Sequence, residues 1–571
     1  MTVIYNDPAN FAEDQFNGFL DLYADRLRGV PGGAVAHVGP EPVVAVVIGG
    51  GSGHYPAFCG LVGPGFASGA VVGNIFTSPS AAQIYSVAKA ADQGRGVVLS
   101  FGNYAGDVFN FGIAADRLRR EGIDTRIVLV TDDIASADDP KLRRGIAGDF
   151  TVFKIMGAAA TAGYRLDDVE RVGIAANAAT RSFGVAFSGC TMPGADQPLF
   201  EVPAGQMGVG LGIHGEPGIR DAQMSTADDL AQLLVSGVLN TAPVGPDRRV
   251  GVIVNGLGTT KYEELFLLWG SIRQLLRAAE YEPVDVEVGE LVTSLDMGGC
   301  SLTMMWLTDE LATLWCADAY TPAYRKQALA LSGLTPAIVG TSSEATEEAP
   351  IPSLAAVAAV PIVVEGLRVL AETVRVHEVE LGRIDSVAGD GDHGRGMVKG
   401  AGAALKSASE SRNGGPAWVL RRAGRAWAAE AGGTSGVLWG AGLEAAAVSL
   451  TDTRSSYRDI DLVDAVDAFA EAITELGRAK LGDKTIVDAL TPFRLELRYQ
   501  IEQGNSLTSA LGAAAAVARL SAAETAVLTP KLGRARPLAE KSIGTPDAGA
   551  TSLALIVSAL AVFAETSPLL T

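Results

Sequence analysis

Hydrophobic and polar positions alternate in two different ways along the chain. From about residue 40 to residue 335, short runs rich in Val and Ile are separated by stretches with helical spacing, such as 105–122. Runs of this length and composition are typical of buried strands in a largely parallel sheet. The predicted strands are 43–50, 96–100, 125–130, 248–256 and 284–294. The pattern therefore predicts an α/β fold for the first part of the chain.

The pattern changes after the stretch TSSEATEEAPIPS at 341–353, which is small, acidic and Pro-containing, as linkers are. Beyond it, Ala-rich segments carry helical spacing and strand-like runs disappear. The predicted helical segments are 354–378, 416–431, 441–452, 461–479, 486–503, 507–523 and 550–566. We therefore predict an α/β domain over 1–340, a linker over 341–353 and an all-α domain over 354–571.

Composition narrows the classes of partner. The net charge of −20 argues against nucleic acid, and 48% hydrophobic residues exclude a mainly disordered chain. The uncharged stretch 43–88 is interrupted by glycines and prolines, so no membrane span is expected there. Four cysteines without a CxxC pair exclude a disulfide framework and a zinc cluster. With no secretory signal visible, we expect a cytoplasmic protein without membrane partners.

Three aspartates, Asp385, Asp390 and Asp392, lie within eight residues around the loop GDGDHGRG at 389–396. Glycines let the backbone turn sharply enough for the carboxylates to converge. Carboxylate oxygens suit Mg²⁺, which bridges the phosphate oxygens of nucleotides. A solvated acidic turn is the alternative, and the spacing does not match an EF-hand loop.

Three further glycine loops strengthen the nucleotide hypothesis. They are GGTSG at 432–436, GDKT at 482–485 and IGTPDAGATS at 543–552. Each precedes a predicted helix, where free amides attract phosphate oxygens, although the same residues could be plain helix caps. Because the chain contains no Gly-Lys pair, it is not a P-loop enzyme, and the protein-kinase motifs are also missing.

In the first domain, VVAVVIGGGSGHYP at 43–56 runs from a strand into a glycine turn that ends at His54. The dinucleotide fingerprint fails because His54 occupies its third glycine position. Such a turn still lets backbone amides approach a small polar ligand at the carboxyl end of the strand. Asp107 follows the next strand, and His214 lies in the glycine-rich stretch GVGLGIHGEPGI at 208–219.

These motifs together resemble one enzyme family. GGGSGH (49–54), IFTSP (75–79), NYAGD (103–107) and GIHGEPGI (212–219) resemble the dihydroxyacetone-binding domain of the dihydroxyacetone kinase family. GDGDHG (389–394), GGTSG, GDKT and DAGATS (547–552) resemble its nucleotide-binding domain. The resemblance, to the single-chain ATP-dependent branch, implies two α/β halves followed by a barrel of antiparallel helices, and a homodimer.

The resemblance also implies roles for individual residues. His214 would hold a ketose as a covalent hemiaminal, with Asp107 as general base and His54 as general acid. Gly51, Ser52 and Gly53 would frame the sugar, while Asp385, Asp390 and Asp392 would hold Mg²⁺. The residues expected to support ATP are His393, Gly394, Thr434, Ser435, Gly482, Asp547 and Gly549.

Two departures from the family pattern concern the substrate. Tyr55 replaces the acid of GGGSGHEP, and Gly102 replaces the lysine of KNYTGD. Loss of a long cation removes a donor and opens room for roughly one further hydroxymethyl group. We therefore predict a kinase for a tetrulose such as erythrulose, with Gly102 and Tyr55 at the substrate.

Other functions stay open at this point. One alternative is a dihydroxyacetone (glycerone) kinase, with water beside Gly102. Another is a non-catalytic ketose-binding regulator, which would be expected to lose the capturing histidine or its neighbours. A third is a flavin-nucleotide cyclase, which would need the nucleotide site but not His214.

Overall fold

The computed structural model describes residues 2–245, 247–327, 348–532 and 539–567. The chain divides into two compact units, Met1–Ala337 and Ile338–Thr571. Part of the predicted linker, 341–347, lies outside the described residues, and Ser353 caps the first helix of the second unit. The predicted fold class, an α/β first part and an all-helical second part, is confirmed.

The first unit begins with a six-stranded sheet. Its strands are β1 (Leu27–Val30), β2 (Gly33–Ala36), β3 (Ala45–Ser52), β4 (Gly69–Ile75), β5 (Val97–Gly102) and β6 (Thr125–Val130), in the order β1-β2-β4-β3-β5-β6. β4, β3, β5 and β6 are parallel. The helices around this sheet are α1 (Phe11–Leu22), α2 (Ala81–Ala91), α3 (Ala105–Arg120), α4 (Gly148–Thr161) and α5 (Leu166–Ala179).

Burial on both faces explains the continuous apolar runs of this sheet. Val46 and Ile48 of β3 share a core with residues of α4 and α5. The alternate residues Ala45 and Val47 share another core with residues of α2 and α3. Helices therefore cover both faces, and the parallel strands end together at one edge, where α/β proteins bind ligands.

The second sheet corrects the prediction of a largely parallel architecture. Its strands are β7 (Thr180–Ala186), β8 (Gln206–Val209), β9 (Arg220–Gln223), β10 (Arg249–Gly256), β11 (Glu282–Pro283), β12 (Glu287–Gly289) and β13 (Gly299–Trp306). The order is β11-β10-β13-β7-β8-β9, with β12 also beside β10, and β10, β13, β7, β8 and β9 pair antiparallel. The accompanying helices are α6 (Ala227–Leu239), α7 (Tyr262–Ala278) and α8 (Asp309–Cys316), and β14 (Ala319–Tyr320) and β15 (Arg325–Lys326) form a separate hairpin.

The predicted strand 284–294 is wrong in its extent. Only the short strand β12 forms there, and the chain then leaves the sheet. The amides of Leu291 and Val292 donate instead to the side-chain oxygen of Asn255, at 2.9 and 3.0 Å. A side chain thus replaces the strand partner, which the apolar pattern alone does not indicate.

The second unit is a ring of helices. They are α9 (Leu354–Val376), α10 (Glu378–Asp385), α11 (His393–Glu410), α12 (Pro416–Ala431), α13 (Gly433–Leu450), α14 (Asp459–Gly477), α15 (Val487–Glu502), α16 (Leu507–Glu524), α17 (Ala539–Ser542) and α18 (Ala548–Thr566). Each of the long helices α9, α11–α16 and α18 packs against the next in that order, and α18 packs against α9. Every second connection between consecutive long helices of this ring is one of four loops, those before α11, α13, α15 and α18.

Helix α11 is absent from the predicted segments. It contains four glycines, and interior glycine lowers helix propensity by about 1 kcal/mol each relative to Ala. Tertiary packing compensates, because a Cβ atom at Gly400 would lie 2.4 Å from Trp427 Nε1. The glycines therefore let two helices approach closely, at the cost of the local helical signal.

Three stretches of the second unit are long and apolar enough to cross a membrane by length and composition alone. They are Leu354–Val376, Leu507–Val527 and Ala548–Thr566. Buried side chains from all three belong to one core cluster, with Leu367, Ala514 and Leu553 among them. In this structure their apolar faces form the interior of the helical ring.

Candidate active site

The parallel strands of the first sheet end beside a cavity of about 490 Å³. The predicted residues Gly51, His54, Gly102, Asp107 and His214 all line it. They come from the ends of β3 and β5, the first turn of α3 and the segment between β8 and β9. The fold thus gathers residues that are up to 163 positions apart around one polar space.

His54 and His214 form a direct pair across this cavity. Their Nε2 atoms lie 3.0 Å apart. His54 Nδ1 donates to the Thr293 carbonyl at 2.7 Å, and His214 Nδ1 donates to Glu216 Oε1 at 3.0 Å. Because both Nδ1 atoms face acceptors, each carries a hydrogen, and the Nε2–Nε2 contact holds one further proton.

The surroundings shift the pKa values of His54 and Glu216 away from those of exposed groups. Burial, and then the charge of His214, lower the pKa of His54 to about 3, so the ring of His54 is neutral. The Nδ1 atom of His214 lies 3.0 Å from the Glu216 carboxylate. Burial opposes the ionisation of Glu216, but the hydrogen bonds and charge of His214 outweigh it and lower its pKa to about 2.

Two further charged side chains, Arg144 and Asp133, continue from Glu216. Arg144 Nη1 lies 3.6 Å from Glu216 Oε2, and Arg144 Nη2 lies 2.8 Å from Asp133 Oδ2. Glu216 Oε2 also accepts the backbone N–H of His214 at 3.0 Å. Glu216 therefore fixes both the ring and the backbone of His214, and sequence reasoning did not single it out.

Aromatic rings hold the two imidazoles in place. Phe76, which follows β4, stacks on His54 with ring centroids 5.0 Å apart and meets the edge of His214 at 5.0 Å. Tyr104 packs against His214 at 5.0 Å, and its hydroxyl donates to the Gly145 carbonyl at 3.0 Å. The rings thus keep the Nε2 atoms aimed at each other and exclude water from their flanks.

Asp107 lies in the first turn of α3 and is 8% exposed. Ser78 Oγ donates to Asp107 Oδ1 at 2.8 Å, and Asn110 Nδ2 donates to the same Ser78 oxygen at 3.3 Å. Burial, opposed by the Ser78 hydrogen bond, raises the pKa of Asp107 to about 6. Such a carboxylate is ionised at neutral pH and is basic enough to accept a proton.

The remaining predicted substrate residues divide between two cavities. Ser52, Gly53 and Tyr55 line a neighbouring cavity of about 290 Å³, which Gly51 also borders. Tyr55 is 46% exposed and packs against Phe19 of α1. The turn after β3 therefore separates two spaces, and only part of it faces the histidine pair.

Gly102 lies close to neighbouring backbone. A Cβ atom at Gly102 would lie 3.1 Å from Tyr104 Cε2 and 3.2 Å from the Gly145 carbonyl oxygen. A Cβ atom at Gly145 would lie only 2.5 Å from Gly102 Cα. The two glycines thus form a tight, side-chain-free corner of the main cavity.

In the second unit, the three aspartates converge as predicted. One carboxylate oxygen from each of Asp385, Asp390 and Asp392 lies within 4.8 Å of the other two. Gly391 has a φ of +76°, and a Cβ atom at Gly389 would lie 2.5 Å from Asp385 Oδ1. Glycine at these positions therefore makes the convergence possible. Oxygen ligands in this arrangement fit Mg²⁺.

His393 connects three of the glycine loops. Its Nε2 atom lies 3.0 Å from Ser552 Oγ, and its Nδ1 atom lies 3.4 Å from Ser435 Oγ. Burial lowers the pKa of His393, with Asp385 opposing the shift, which favours the neutral ring. Ser435 lies in the first turn of α13 and Ser552 is the fifth residue of α18, so the beginnings of two helices meet the aspartate loop.

Asp547 and Gly549 complete this end of the ring. Asp547 caps α18 by accepting the Ala550 N–H at 2.7 Å, and burial raises its pKa to about 6. A Cβ atom at Gly549 would lie 3.5 Å from the backbone nitrogen of Ile486, which brings the GDKT loop alongside. In that loop the Gly482 N–H donates to Asp488 Oδ1 at 2.5 Å.

Gly394 and Thr434 have different surroundings. A Cβ atom at Gly394 would lie 2.1 Å from the Glu378 carbonyl oxygen, so this glycine allows α11 to pack on α10. Thr434 is exposed in the first turn of α13. Their contact with a nucleotide stays a prediction.

Sequence reasoning missed several residues of the two sites, including Glu216, Ser78, Asn110, Asp149 and Lys484. Glu216 is only two residues from His214 inside a quoted motif, so its spacing was visible. The others act through contacts between distant segments. Lys484, for example, is buried and donates to the Ser542 carbonyl at 2.7 Å.

The fold and the two sites define a two-domain class of protein. Its first unit is α/β and contains a histidine pair and a basic carboxylate. Its second unit is a helical ring with an acidic glycine loop. The chain matches the Dak1 domain over residues 17–323 and the DAK2 domain over residues 387–562. It therefore belongs to the dihydroxyacetone kinase family, as the sequence motifs predict.

Individual relatives and a solved structure agree with this assignment. The chain is 56% identical over 570 residues to the D-erythrulose kinase of Mycolicibacterium smegmatis, covering 98% of each chain. It is 51% identical over 570 residues to the L-erythrulose kinase of Pectobacterium atrosepticum, covering 98% of this chain and 96% of that relative. A solved structure, the dihydroxyacetone kinase from C. freundii in complex with AMP-PNP and Mg²⁺, is 28% identical in sequence and has a TM-score of 0.57. The match covers 98% of this chain and 99% of that chain. The predicted enzyme class, a kinase with an alcohol group as acceptor, is confirmed.

Proposed function

We propose that this chain transfers the γ-phosphoryl group of ATP to a terminal hydroxyl of a four-carbon ketose such as erythrulose. The observation that carries the ketose chemistry is the convergence of His214, His54 and Asp107 on one cavity. The substrate size is supported by the relatives named as erythrulose kinases, at 51–56% identity over nearly the whole chain.

The histidine pair is suited to covalent capture of a carbonyl. His214 Nε2 becomes a nucleophile once its proton passes to His54 Nε2, 3.0 Å away. Nε2 then bonds to the carbonyl carbon, the π electron pair moves to the carbonyl oxygen, and that oxygen takes the proton from His54. The product is a hemiaminal, and no proton enters or leaves the site.

Charge is conserved through this step. The one proton between the two rings moves to the carbonyl oxygen, and before and after bond formation the Nδ1–H of His214 faces the Glu216 carboxylate. Arg144 and Asp133 continue the alternation of charges behind Glu216. Because only a carbonyl can form this bond, the site selects ketoses over polyols such as glycerol, and it holds the sugar in one orientation.

Asp107 supplies the base for phosphoryl transfer. Its carboxylate lines the cavity that holds the hemiaminal and takes the proton of the attacking hydroxyl. The hydrogen bond from Ser78 fixes Oδ1 and leaves the second oxygen for the substrate. With a pKa of about 6, Asp107 is ionised at neutral pH.

The helical unit binds ATP and Mg²⁺ in this proposal. Asp385, Asp390 and Asp392 would hold Mg²⁺, which neutralises charge on the phosphates when bound. The first-turn amides of α13 and α18 face phosphate oxygens, with Ser435, His393 and Ser552 as neighbouring polar groups. These residues position the triphosphate without forming covalent bonds to it.

The proposal is tested with the purified full chain and Mg-ATP. We expect ADP release with D- or L-erythrulose at a higher kcat/KM than with dihydroxyacetone, and none above background with glycerol. The wild-type chain is also incubated with the ketose without a reducing agent. Intact mass spectrometry then checks for a covalent adduct. A preference for the three-carbon ketose would refute the tetrulose assignment, and equal rates with glycerol would refute carbonyl capture.

Two further expectations carry over, one from the family resemblance and one from the sequence analysis. They are a homodimer built on the first unit and a cytoplasmic location. Light scattering on the purified chain and fractionation of the source cells test them separately from the chemistry.

A further inference from the structure

One buried carboxyl group at the main cavity has no role in the chemistry above. Asp149 lies in the first turn of α4, is 4% exposed and lines the cavity with His214 and Asp107. Its Oδ1 atom is buried and has no hydrogen-bond partner among the described residues. A buried polar atom without a partner is destabilising, so fold stability alone does not account for an acid at this position.

Two neighbouring carboxylates, unlike Asp149, have hydrogen-bond donors within the protein. Asp132 is fully buried, but it accepts the N–H groups of Ile146 and Gly148 at 2.9 and 2.7 Å. Asp107 accepts the Ser78 hydroxyl. Both acids are satisfied by the protein, whereas the Oδ1 atom of Asp149 is left for a group that the protein does not supply.

Asp149 lies at a side-chain-free corner of the main cavity. A Cβ atom at Gly145 would lie 3.1 Å from Asp149 Oδ1 and 2.5 Å from Gly102 Cα. Gly102, Gly145 and Asp149 all line the same cavity. The corner is therefore bounded by backbone, by the Tyr104 ring and by one carboxyl group, and no lysine or arginine lines the cavity among the described residues.

The electrostatic surroundings favour the acid form of this group. Burial, and then the charges of Asp132 and Asp107, raise the pKa of Asp149 well above its usual range. A carboxylic acid has one O–H donor and a carbonyl acceptor, and a sugar hydroxyl has the complementary acceptor and donor. A neutral hydroxyl thus fits this corner better than a second charged group.

We propose that Asp149 is a substrate-specificity residue that binds the C4 hydroxyl of a four-carbon ketose, the hydroxyl that dihydroxyacetone lacks. The inference rests on the proposed function. His214 holds the C2 carbon, Asp107 activates the C1 hydroxyl, and Asp149 receives the opposite end of the sugar. Its role is recognition, because it does not take part in either proton transfer.

The test compares erythrulose with 1,3-dihydroxybutan-2-one, a four-carbon ketose without the C4 hydroxyl. We expect wild-type kcat/KM to be about 10- to 100-fold higher for the preferred erythrulose enantiomer than for this analogue, since a site built for a hydroxyl rejects its absence. In Asp149→Leu, which replaces the acid by an apolar group of similar size, the ratio falls to about 1- to 3-fold.

Asp149→Asn is the second variant, because its neutral amide keeps a donor and an acceptor and perturbs packing least. We expect it to retain a ratio above about 5-fold. Thr151→Val is the matched control: Thr151 is buried two residues later on α4, bonds to Thr180 at 3.1 Å and does not line the cavity. For Thr151→Val, the ratio of kcat/KM for erythrulose to kcat/KM for the analogue stays at the wild-type value. Thermal unfolding confirms that each variant folds.

The outcomes separate this inference from the proposed function. If the wild-type chain does not phosphorylate erythrulose, the proposed function is refuted whatever Asp149 does. If it does, but Asp149→Leu and Asp149→Asn keep the wild-type ratio, or both ketoses lose activity equally, the inference alone is refuted. Phosphorus NMR must find the product phosphorylated on C1, and a 4-phosphate also contradicts the assignment.

Discussion

The two sites of this chain are built in contrasting ways. In the α/β unit, the groups around the ketose cavity are buried side chains from widely separated segments, and three of them, His54, Asp107 and Glu216, have pKa values shifted by their surroundings. In the helical unit, the candidate nucleotide site consists of loops that each precede a helix, and two of its three aspartates are exposed.

The difference follows from the ligands. A small neutral ketose offers hydroxyls and one carbonyl, so it is bound by directional side chains in a space from which water is excluded. A triphosphate carries its own charge, so backbone amides, helix dipoles and a cation suffice, and these groups work at an exposed surface. The two halves of the reaction should therefore fail independently when their residues are changed.

The largest effect is expected from His214→Ala. The variant cannot form the hemiaminal, and we expect kcat/KM for erythrulose to fall by at least about 10⁴-fold, since covalent capture and orientation are both lost. Mass spectrometry should find no ketose adduct, while the affinity for Mg-ATP, measured by calorimetry, stays at the wild-type value. Loss of nucleotide affinity in this variant would contradict the separation of the two sites.

Asp390→Asn is the counterpart in the helical unit. Removing one of three converging carboxylates should weaken Mg-ATP binding and lower kcat by about 10²- to 10³-fold. The ketose adduct on His214 should form to the same extent as in the wild-type chain. Glu380→Gln, a change on the neighbouring helix α10 outside the aspartate cluster, serves as the control. An adduct that disappears in Asp390→Asn would show that the aspartates also serve the ketose site.

The contrast also explains what the sequence could predict. The helical site is encoded locally: each loop carries its glycines and its polar residues together, so Asp385, Asp390 and Asp392 were found as one group and the structure brings them within 4.8 Å. The strands β3, β5 and β10 were likewise visible, because burial on both faces makes each a nearly continuous apolar run.

The features that were missed depend on contacts between distant segments. The strand β13, GCSLTMMW, is buried throughout but has no Val or Ile, and its antiparallel pairing with β7 and β10 comes from the fold. Helix α11 is hidden by its glycines, which only the packing against Trp427 requires. The motif GGGSGHY gave no sign that Ser52 and Tyr55 face a different cavity from His54.

Glu216→Gln sharpens the comparison inside the ketose site. Glutamine can still accept the Nδ1–H of His214, but it supplies no negative charge opposite the His214 ring. We expect kcat/KM for erythrulose to fall by roughly 10- to 100-fold, with a smaller fraction of the chain carrying the adduct. Glu290→Gln is the matched control, since Glu290 lines the neighbouring cavity instead. Equal losses in both variants would mean that overall charge, and not the contact with His214, is responsible.

The smallest effect concerns the acidity of the base. Because Asp107 acts in its ionised form and burial raises its pKa to about 6, activity should fall as the pH decreases through 6. The Ser78 hydroxyl favours the ionised form, so Ser78→Ala should raise this pKa further and move the acidic limb of the kcat/KM profile up by about half to one pH unit. At pH 6 the variant is then about two- to fivefold slower, while at pH 8 the two rates converge.

Ser80→Ala is the control for this pH profile. It changes the cap of α2 without touching Asp107, so the acidic limb of the kcat/KM profile should stay in place. A limb that does not move in Ser78→Ala would assign the acidic ionisation to another group, and the buried base would no longer distinguish the ketose site from the exposed aspartates of the helical unit.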